Sequence, residues 1–356
     1  MTKKRKLMMN GGVKAMKAAF FYGPEDVRIE ERPIPTAKQG EIVIKNKIAL
    51  TCGTDVKMYM RGYPLFTPPH GFGHESAGIV TEVGEGVEGF KVGDRVIAHN
   101  SAPCNTCYYC KHGQHSMCEN ITFNFGCFAE YHKIPAPIVK QNVFHIPDTM
   151  DFKDAALTEP FSCAVYGIEE IGVEPGDTVV VNGAGPIGLM FIRLAYFKGA
   201  RVIATDLSDT RLEVAAKLGA AVTINAGTCG DVIKAVRECT EGERGVDVAI
   251  EAVGLPEIWE NTILMARKGA KILLFGGTKS GSSIQLDATL LHYSQHTIKG
   301  VFHTTPKHVE TAFNLLKNGI LDAKILVGGE YKLEEVETAL LVHKSGKVIK
   351  NCIVFD

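Results

Sequence analysis

Residues 179–190 read VVVNGAGPIGLM, and the reading of this stretch decides the fold. Three valines run into Asn182 and then into Gly183-x-Gly185-x-x-Gly188, after which apolar residues continue at helical spacing. In a strand–turn–helix of this kind the first glycine permits the tight turn and the second lets the backbone approach a pyrophosphate. The third allows the helix to pack closely. Pro186 and Ile187 open that helix, whose amino terminus favours negative charge. A lone glycine pattern is as often a simple turn. Here the strand before it, the helix after it and Asp206 at the end of the next strand, RVIATD, select dinucleotide binding. Asp206 can accept hydrogen bonds from ribose hydroxyls and repel a 2′-phosphate, which favours NAD over NADP. Arg211 either lies over the adenine or is a solvated helix charge.

Outward from this motif the texture is regular. TVVVNGAG, RVIATD, AVTIN, VDVAIEAVG and KILLFGG are β-rich apolar runs separated by helical stretches such as RLEVAAKLG and DVIKAVREC. That alternation predicts a parallel sheet covered by helices on both faces, an α/β architecture. From Lys17 to about Thr158 the pattern is different. EIVIKNKIALTC, SAGIVTEVGEGVEGF and VGDRVIAH are short strands broken by glycine turns, which predicts a β-rich unit. After HTIKGVF, the helical HVETAFNLLKNG is followed by short strands, and this last segment more economically rejoins the first unit than forms a third. A chain of 356 residues also exceeds what one core usually serves. The expected organisation is residues 1–160, with 1–15 a flexible extension, then 161–299 around the glycine motif, and 300–356 returning to the first domain.

Hydrophobic residues make up 45% and charged residues 22% of the chain, with a formal net charge of −1. This balance predicts no attraction to nucleic acid or to an anionic membrane. The basic MTKKRK is followed by LMMNGGVKAMK rather than by a long apolar run, and the most apolar stretch is interrupted and too short to span a bilayer. A cytoplasmic protein acting on a small molecule is expected. The ten cysteines could form five disulfides in a secreted protein, but a chain of this size without an export signal rarely uses them.

Four of those cysteines fall at Cys104-x2-Cys107-x2-Cys110-x7-Cys118, a spacing that can converge on one tetrahedral Zn²⁺ without help from the rest of the fold. Such a site is closed and leaves no position for substrate. An open metal site must therefore draw on scattered ligands: Cys52 in LTCGTD, His74 and Glu75 in GHES, and Glu159 in TEPF. A thiolate, an imidazole and a carboxylate leave a fourth position for water or substrate. Taken singly, each is as readily a small buried hydrophobe, a structural histidine or a turn residue.

Together they carry a resemblance. The pattern G-H-E-x2-G-x5-G-x2-V is met by Gly73, His74, Glu75, Gly78, Gly84 and Val87, and CGTD, the cysteine lobe, EPFSCAV and GAGPIG follow in order. From about Lys17 to the end the chain resembles the medium-chain, zinc-dependent alcohol dehydrogenase family, and within it the polyol branch typified by sorbitol dehydrogenase. The resemblance implies a GroES-like β-rich catalytic domain interrupted by a Rossmann domain with a doubly wound parallel sheet. It implies two zinc ions per chain and a homo-oligomer, tetramer or dimer. By it Cys52, His74 and Glu159 match catalytic zinc ligands, Glu75 a carboxylate that can approach the metal, and Thr54 a hydroxyl that bonds the substrate oxygen. Tyr59 and His303 match substrate positions. Val253, Phe275, Gly276, Gly277, Val301 and Phe302 match contacts to the nicotinamide half of NAD. Two departures stand out: Lys57 replaces a histidine that passes the proton to solvent, and His303 replaces an arginine that engages the polyol, which weakens the case for sorbitol itself.

The implied reaction is transfer of a hydride from a secondary alcohol, a polyol or vicinal diol, to NAD⁺. L-threonine and 2,3-butanediol are alternative substrates, since CGTDV also occurs in those relatives. A reading of another class, a zinc ribbon that binds nucleic acid, lacks a basic face with interleaved aromatics.

Overall fold

The computed structural model describes residues 14–62 and 67–356. Residues 1–13, the greater part of the expected extension, lie outside the described residues, whereas Ala15 already opens a strand, Ala15–Gly23. Two compact units result: Met1–Glu159 with Thr305–Asp356, and Pro160–Thr304. The second boundary falls between Thr304 and Thr305, a few residues beyond the expected 299/300 division, because Thr304 Oγ1 donates to the carbonyl of Ser162 at 3.1 Å.

In the first unit a seven-stranded sheet is built around Ile42–Leu50. IVIKNKIAL alternates so that Ile42 and Ile44 pack with Val80, Val96 and Ile134, while Ala49 meets Phe21, Phe72 and Phe128 in a second cluster. β-branched residues on both faces suit a strand with neighbours on each side. One neighbour is Glu75–Val83, antiparallel, with Leu50 opposite Glu75. The other is the carboxyl-terminal strand Lys350–Val354, with Cys352 opposite Leu50. Two chain segments far apart in sequence thus flank the end of one strand, and the chain leaves that end directly into Cys52.

The second unit is a six-stranded, all-parallel sheet. Its spatial order is Ala220–Asn225, Arg201–Asp206, Thr178–Asn182, Val246–Glu251, Ala266–Leu274 and Thr297–Gly300. This is the 3-2-1-4-5-6 order of a doubly wound sheet. Its core joins Val180, Ile203, Ala249, Ile263 and Ile272, apolar residues from central strands and covering helices, as a sheet buried on both faces requires.

Candidate active site

Cys52 caps the helix Gly53–Arg61, its sulfur accepting from the backbone N–H of Thr54 at 3.4 Å. Asp55, three residues on, closes a reciprocal capping box by accepting from the Cys52 N–H at 2.9 Å. The same carboxylate is fully buried and its other oxygen lies 2.9 Å from His74 Nδ1. A carboxylate can only accept, so it fixes the proton on Nδ1 and leaves Nε2 as the free ligand atom. His74 is held in turn by the strand it precedes, Glu75–Val83. One donor atom from each of Cys52, His74 and Glu75 lies within 4.8 Å of the others. Glu75 is paired with Lys350, whose Nζ lies 2.9 and 2.7 Å from its two oxygens, both side chains being sequestered from solvent.

Glu159, in the first turn of the helix Thr158–Ile171, is buried and stands outside that converging triplet. Its Oε1 accepts from Asn100 Nδ2 at 3.1 Å. Burial raises its carboxyl to about 7, opposed by the charge of His74 and reinforced by that of Glu75. For His74, burial acts downward, but the neighbouring Asp55 and Cys52 overcome it and raise the imidazole well above its ordinary range. Among the described residues, Cys52, Glu75 and Glu159 all act on the buried ammonium of Lys350. Such an excess of soft and hard anionic donors suits a divalent cation with thiolate, imidazole and carboxylate ligands.

The two substrate candidates, Tyr59 and His303, differ in burial, the first buried and the second partly exposed. Tyr59 is buried among Phe21, Met58 and Phe72, and its hydroxyl donates to Glu337. His303 adopts a left-handed φ of 62° with its ring against Phe302. Lys57 is exposed on the helix Gly53–Arg61.

The sulfurs of Cys104, Cys107, Cys110 and Cys118 likewise lie within 4.8 Å of one another. Backbone and side-chain groups of the loop point at them: the Cys104 N–H donates to Cys118 at 3.2 Å, and the Cys107 N–H to Cys104 at 3.4 Å. Hydrogen bonds from Thr106 lower the Cys104 thiol to about 5, whereas burial pushes Cys110 up to about 12. All ten cysteines are free, so the disulfide reading is not realised.

In the second unit the three glycines differ in what a side chain would meet. Gly183 has φ 105°, and a Cβ there would lie 2.6 Å from Val253; one on Gly188 would lie 1.8 Å from the Gly183 carbonyl. A Cβ on Gly185 would meet nothing within 4 Å, which leaves open backbone at the start of the helix Pro186–Phe197, where a pyrophosphate would lie. Asp206 accepts from the N–H groups of Ala184 at 2.7 Å and Ser208 at 2.9 Å, tying the glycine turn to the next strand with lone pairs to spare. Arg211 stands 3.9 Å from Asp206, so its charge is directed to that carboxylate. Val253 and Phe302 are exposed, and Phe275 packs edge-on against Phe191.

Residues 38–148 match the alcohol dehydrogenase GroES-like domain, and residues 186–318 match the zinc-binding dehydrogenase domain. The chain belongs to the zinc-dependent alcohol dehydrogenase family. Within this family it is 34% identical to the sorbitol dehydrogenase of Bacillus subtilis over 91% of this chain and 92% of that protein. It is 35% identical to the L-threonine 3-dehydrogenase of Pyrococcus abyssi over 95% and 97%. A zinc-binding dehydrogenase from Sinorhizobium meliloti 1021, solved bound to NADP, superposes with a TM-score of 0.90 at 26% identity, covering 96% of this chain and all of that one. As a member of the family the chain is a zinc-dependent oxidoreductase using a nicotinamide cofactor, with the GroES-like and Rossmann folds described above. Among the described residues no helix is long and apolar enough to cross a membrane.

Sequence reading missed Asp55, Asn100 and Lys350. Asp55 had a usable signal, since Cys52-x-x-Asp55 is a capping-box spacing. Lys350 had none: it lies 275 positions from the carboxylate it pairs with.

Proposed function

We propose that this chain oxidises a secondary alcohol, a polyol or vicinal diol, to a ketone with NAD⁺ as acceptor. The observation that carries this reading is the convergence of Cys52, His74 and Glu75 in a buried, anion-rich pocket. Cys52, His74 and Glu159 would hold a catalytic zinc, with Glu75 able to approach it, and the four-cysteine lobe would hold a second. When bound, the catalytic ion supplies Lewis acidity that lowers the pKa of the alcohol and, in reverse, polarises the carbonyl. Asp55 orients His74 and fixes its tautomer, Lys350 holds Glu75 in place and opposes the upward push of burial on its carboxyl, and Asn100 restrains Glu159. The Thr54 hydroxyl accepts the hydrogen bond of the alcohol and, as it takes that proton, passes its own on to water. In this reading residues 1–160 and 300–356 form the catalytic domain and 161–299 the cofactor domain.

NAD is the assigned cofactor because Asp206 leads the ribose site and the next residues, Leu207 and Ser208, carry no positive charge for a 2′-phosphate. The reduced thiols required by both metal sites are consistent with a cytoplasmic enzyme, which we infer to be a homo-oligomer. The relative acting on L-threonine supports a second substrate class, a β-hydroxy amino acid. One screen decides: absorbance at 340 nm with NAD⁺ and sorbitol, xylitol, 2,3-butanediol, L-threonine and ethanol. Faster turnover of ethanol than of every diol and polyol refutes the polyol reading, and a preference for L-threonine establishes the second.

A further inference from the structure

The strand Val246–Glu251 ends in a carboxylate with no exposed surface. Three backbone N–H groups donate to it, and the Trp259 side chain adds a further hydrogen bond. Oε1 accepts from the N–H groups of Val253 and Gly254, both at 2.7 Å, and Oε2 accepts from that of Gly276 at 3.0 Å. The carbonyl of Gly276 in turn accepts from Trp259 Nε1 at 3.1 Å. One buried carboxylate therefore ties two loops, the one that follows its own strand and the one that follows the neighbouring strand Ala266–Leu274. Gly254 has φ +89° and Gly277 has open space around it, so at these two positions no side chain stiffens the backbone.

The position of these loops gives the carboxylate its use. The strand Thr178–Asn182 lies between Arg201–Asp206 and Val246–Glu251, so the glycine turn separates Asp206 from Glu251 along the carboxyl edge of the sheet. A dinucleotide with its pyrophosphate at Gly185 and its adenosine ribose at Asp206 must send its other half over the loops Glu251 ties. Val253 is already within reach of the turn, since a Cβ on Gly183 would lie 2.6 Å from it.

We propose that Glu251 is a positioning residue for the nicotinamide half of the cofactor, its charge-assisted bonds holding residues 252–254 and 275–277 in the register that half requires. The inference rests on the nicotinamide-dependent reading above. Charge-assisted bonds to a carboxylate are roughly twice as strong as neutral ones. Glu251→Gln keeps one acceptor oxygen but turns an NH₂ toward a backbone N–H, so one of the two loops is released. Glu251→Asp keeps the charge and shortens the reach.

The test is equilibrium binding of NADH and of ADP-ribose, which lacks nicotinamide, to the full chain and to both variants. Glu251→Gln is expected to raise the Kd for NADH about tenfold or more while that for ADP-ribose stays within about twofold. Glu251→Asp should fall between wild type and Gln for NADH only. An unchanged NADH affinity in Glu251→Gln overturns the proposal. So does equal weakening of both ligands in both variants, which would make Glu251 a general support of the unit. If Glu251→Gln does not fold, the same comparison on Glu251→Asp decides. Wild-type protein that binds ADP-ribose but not NADH refutes the nicotinamide reading itself, and this is seen before any substitution is made.

Discussion

Replacing Lys350 by methionine removes the ammonium paired with the fully buried Glu75, a contact of 2.9 and 2.7 Å. Removing one partner of a buried ion pair leaves the other charge uncompensated and costs about 3–5 kcal/mol. The first unit comprises Met1–Glu159 and Thr305–Asp356, and in a unit of that size about 1 kcal/mol corresponds to roughly 2–4 °C. The apo protein should therefore melt about 6–20 °C lower. Zinc gives Glu75 another cation, so the drop should be much smaller in zinc-loaded protein. Adding Glu75→Gln to Lys350→Met removes the orphaned charge and should recover much of the apo loss. The assay is scanning calorimetry of chelator-treated and zinc-reconstituted wild type, single and double variants. If apo Lys350→Met melts with wild type, or the double variant is less stable than Lys350→Met alone, then the pair does not stabilise the site as argued.

Cys104→Ser should lose about one zinc per chain and melt lower, with activity falling in step with folded protein, while Cys52→Ser should keep its fold and NADH affinity but not turn over; zinc analysis, calorimetry and turnover separate the two. A Cys104→Ser protein that melts normally but is inactive, beside a fully active Cys52→Ser, would place the chemistry at the other metal site. Asp206→Gly should narrow the preference for NAD over NADP, expected to be at least about tenfold in kcat/KM in wild type, and equal efficiency of the two cofactors in wild type refutes the role of Asp206. Burial lowers the His132 imidazole to about 4, partly opposed by a hydrogen bond to the Phe125 backbone. The unfolded chain takes up that proton below about 6.5, so stability is complete above that pH and is lost as pH falls toward 4, by up to about 1.4 kcal/mol per pH unit. Denaturant unfolding of wild type and His132→Leu between pH 7 and 4 should show the wild type losing more, and parallel curves refute the assignment.

The features legible in the sequence are those whose partners lie within a turn or two of one another. Gly183 and Gly188 specify their turn through a positive φ and a close approach within five residues of each other, and Cys104, Cys107, Cys110 and Cys118 converge within one loop. The alternation of apolar runs and helical stretches was enough to expect the parallel sheet, because its periodicity is written into each segment. Tyr59 shows the limit: nothing local in the sequence pairs its hydroxyl with Glu337, 278 positions away, or packs its ring against Phe21 and Phe72. The pocket itself is decided by strand register. Leu50 opposite Glu75 and Cys352 opposite Leu50 bring Cys52, Glu75 and Lys350 to one strand end. A slip of one residue would send those side chains to the other face. Local sequence determined which groups could bind metal and nucleotide; only the tertiary pairing of distant strands, stabilised by the cores on either side of the sheet, decided which of them meet and gave Glu75 its buried counter-charge.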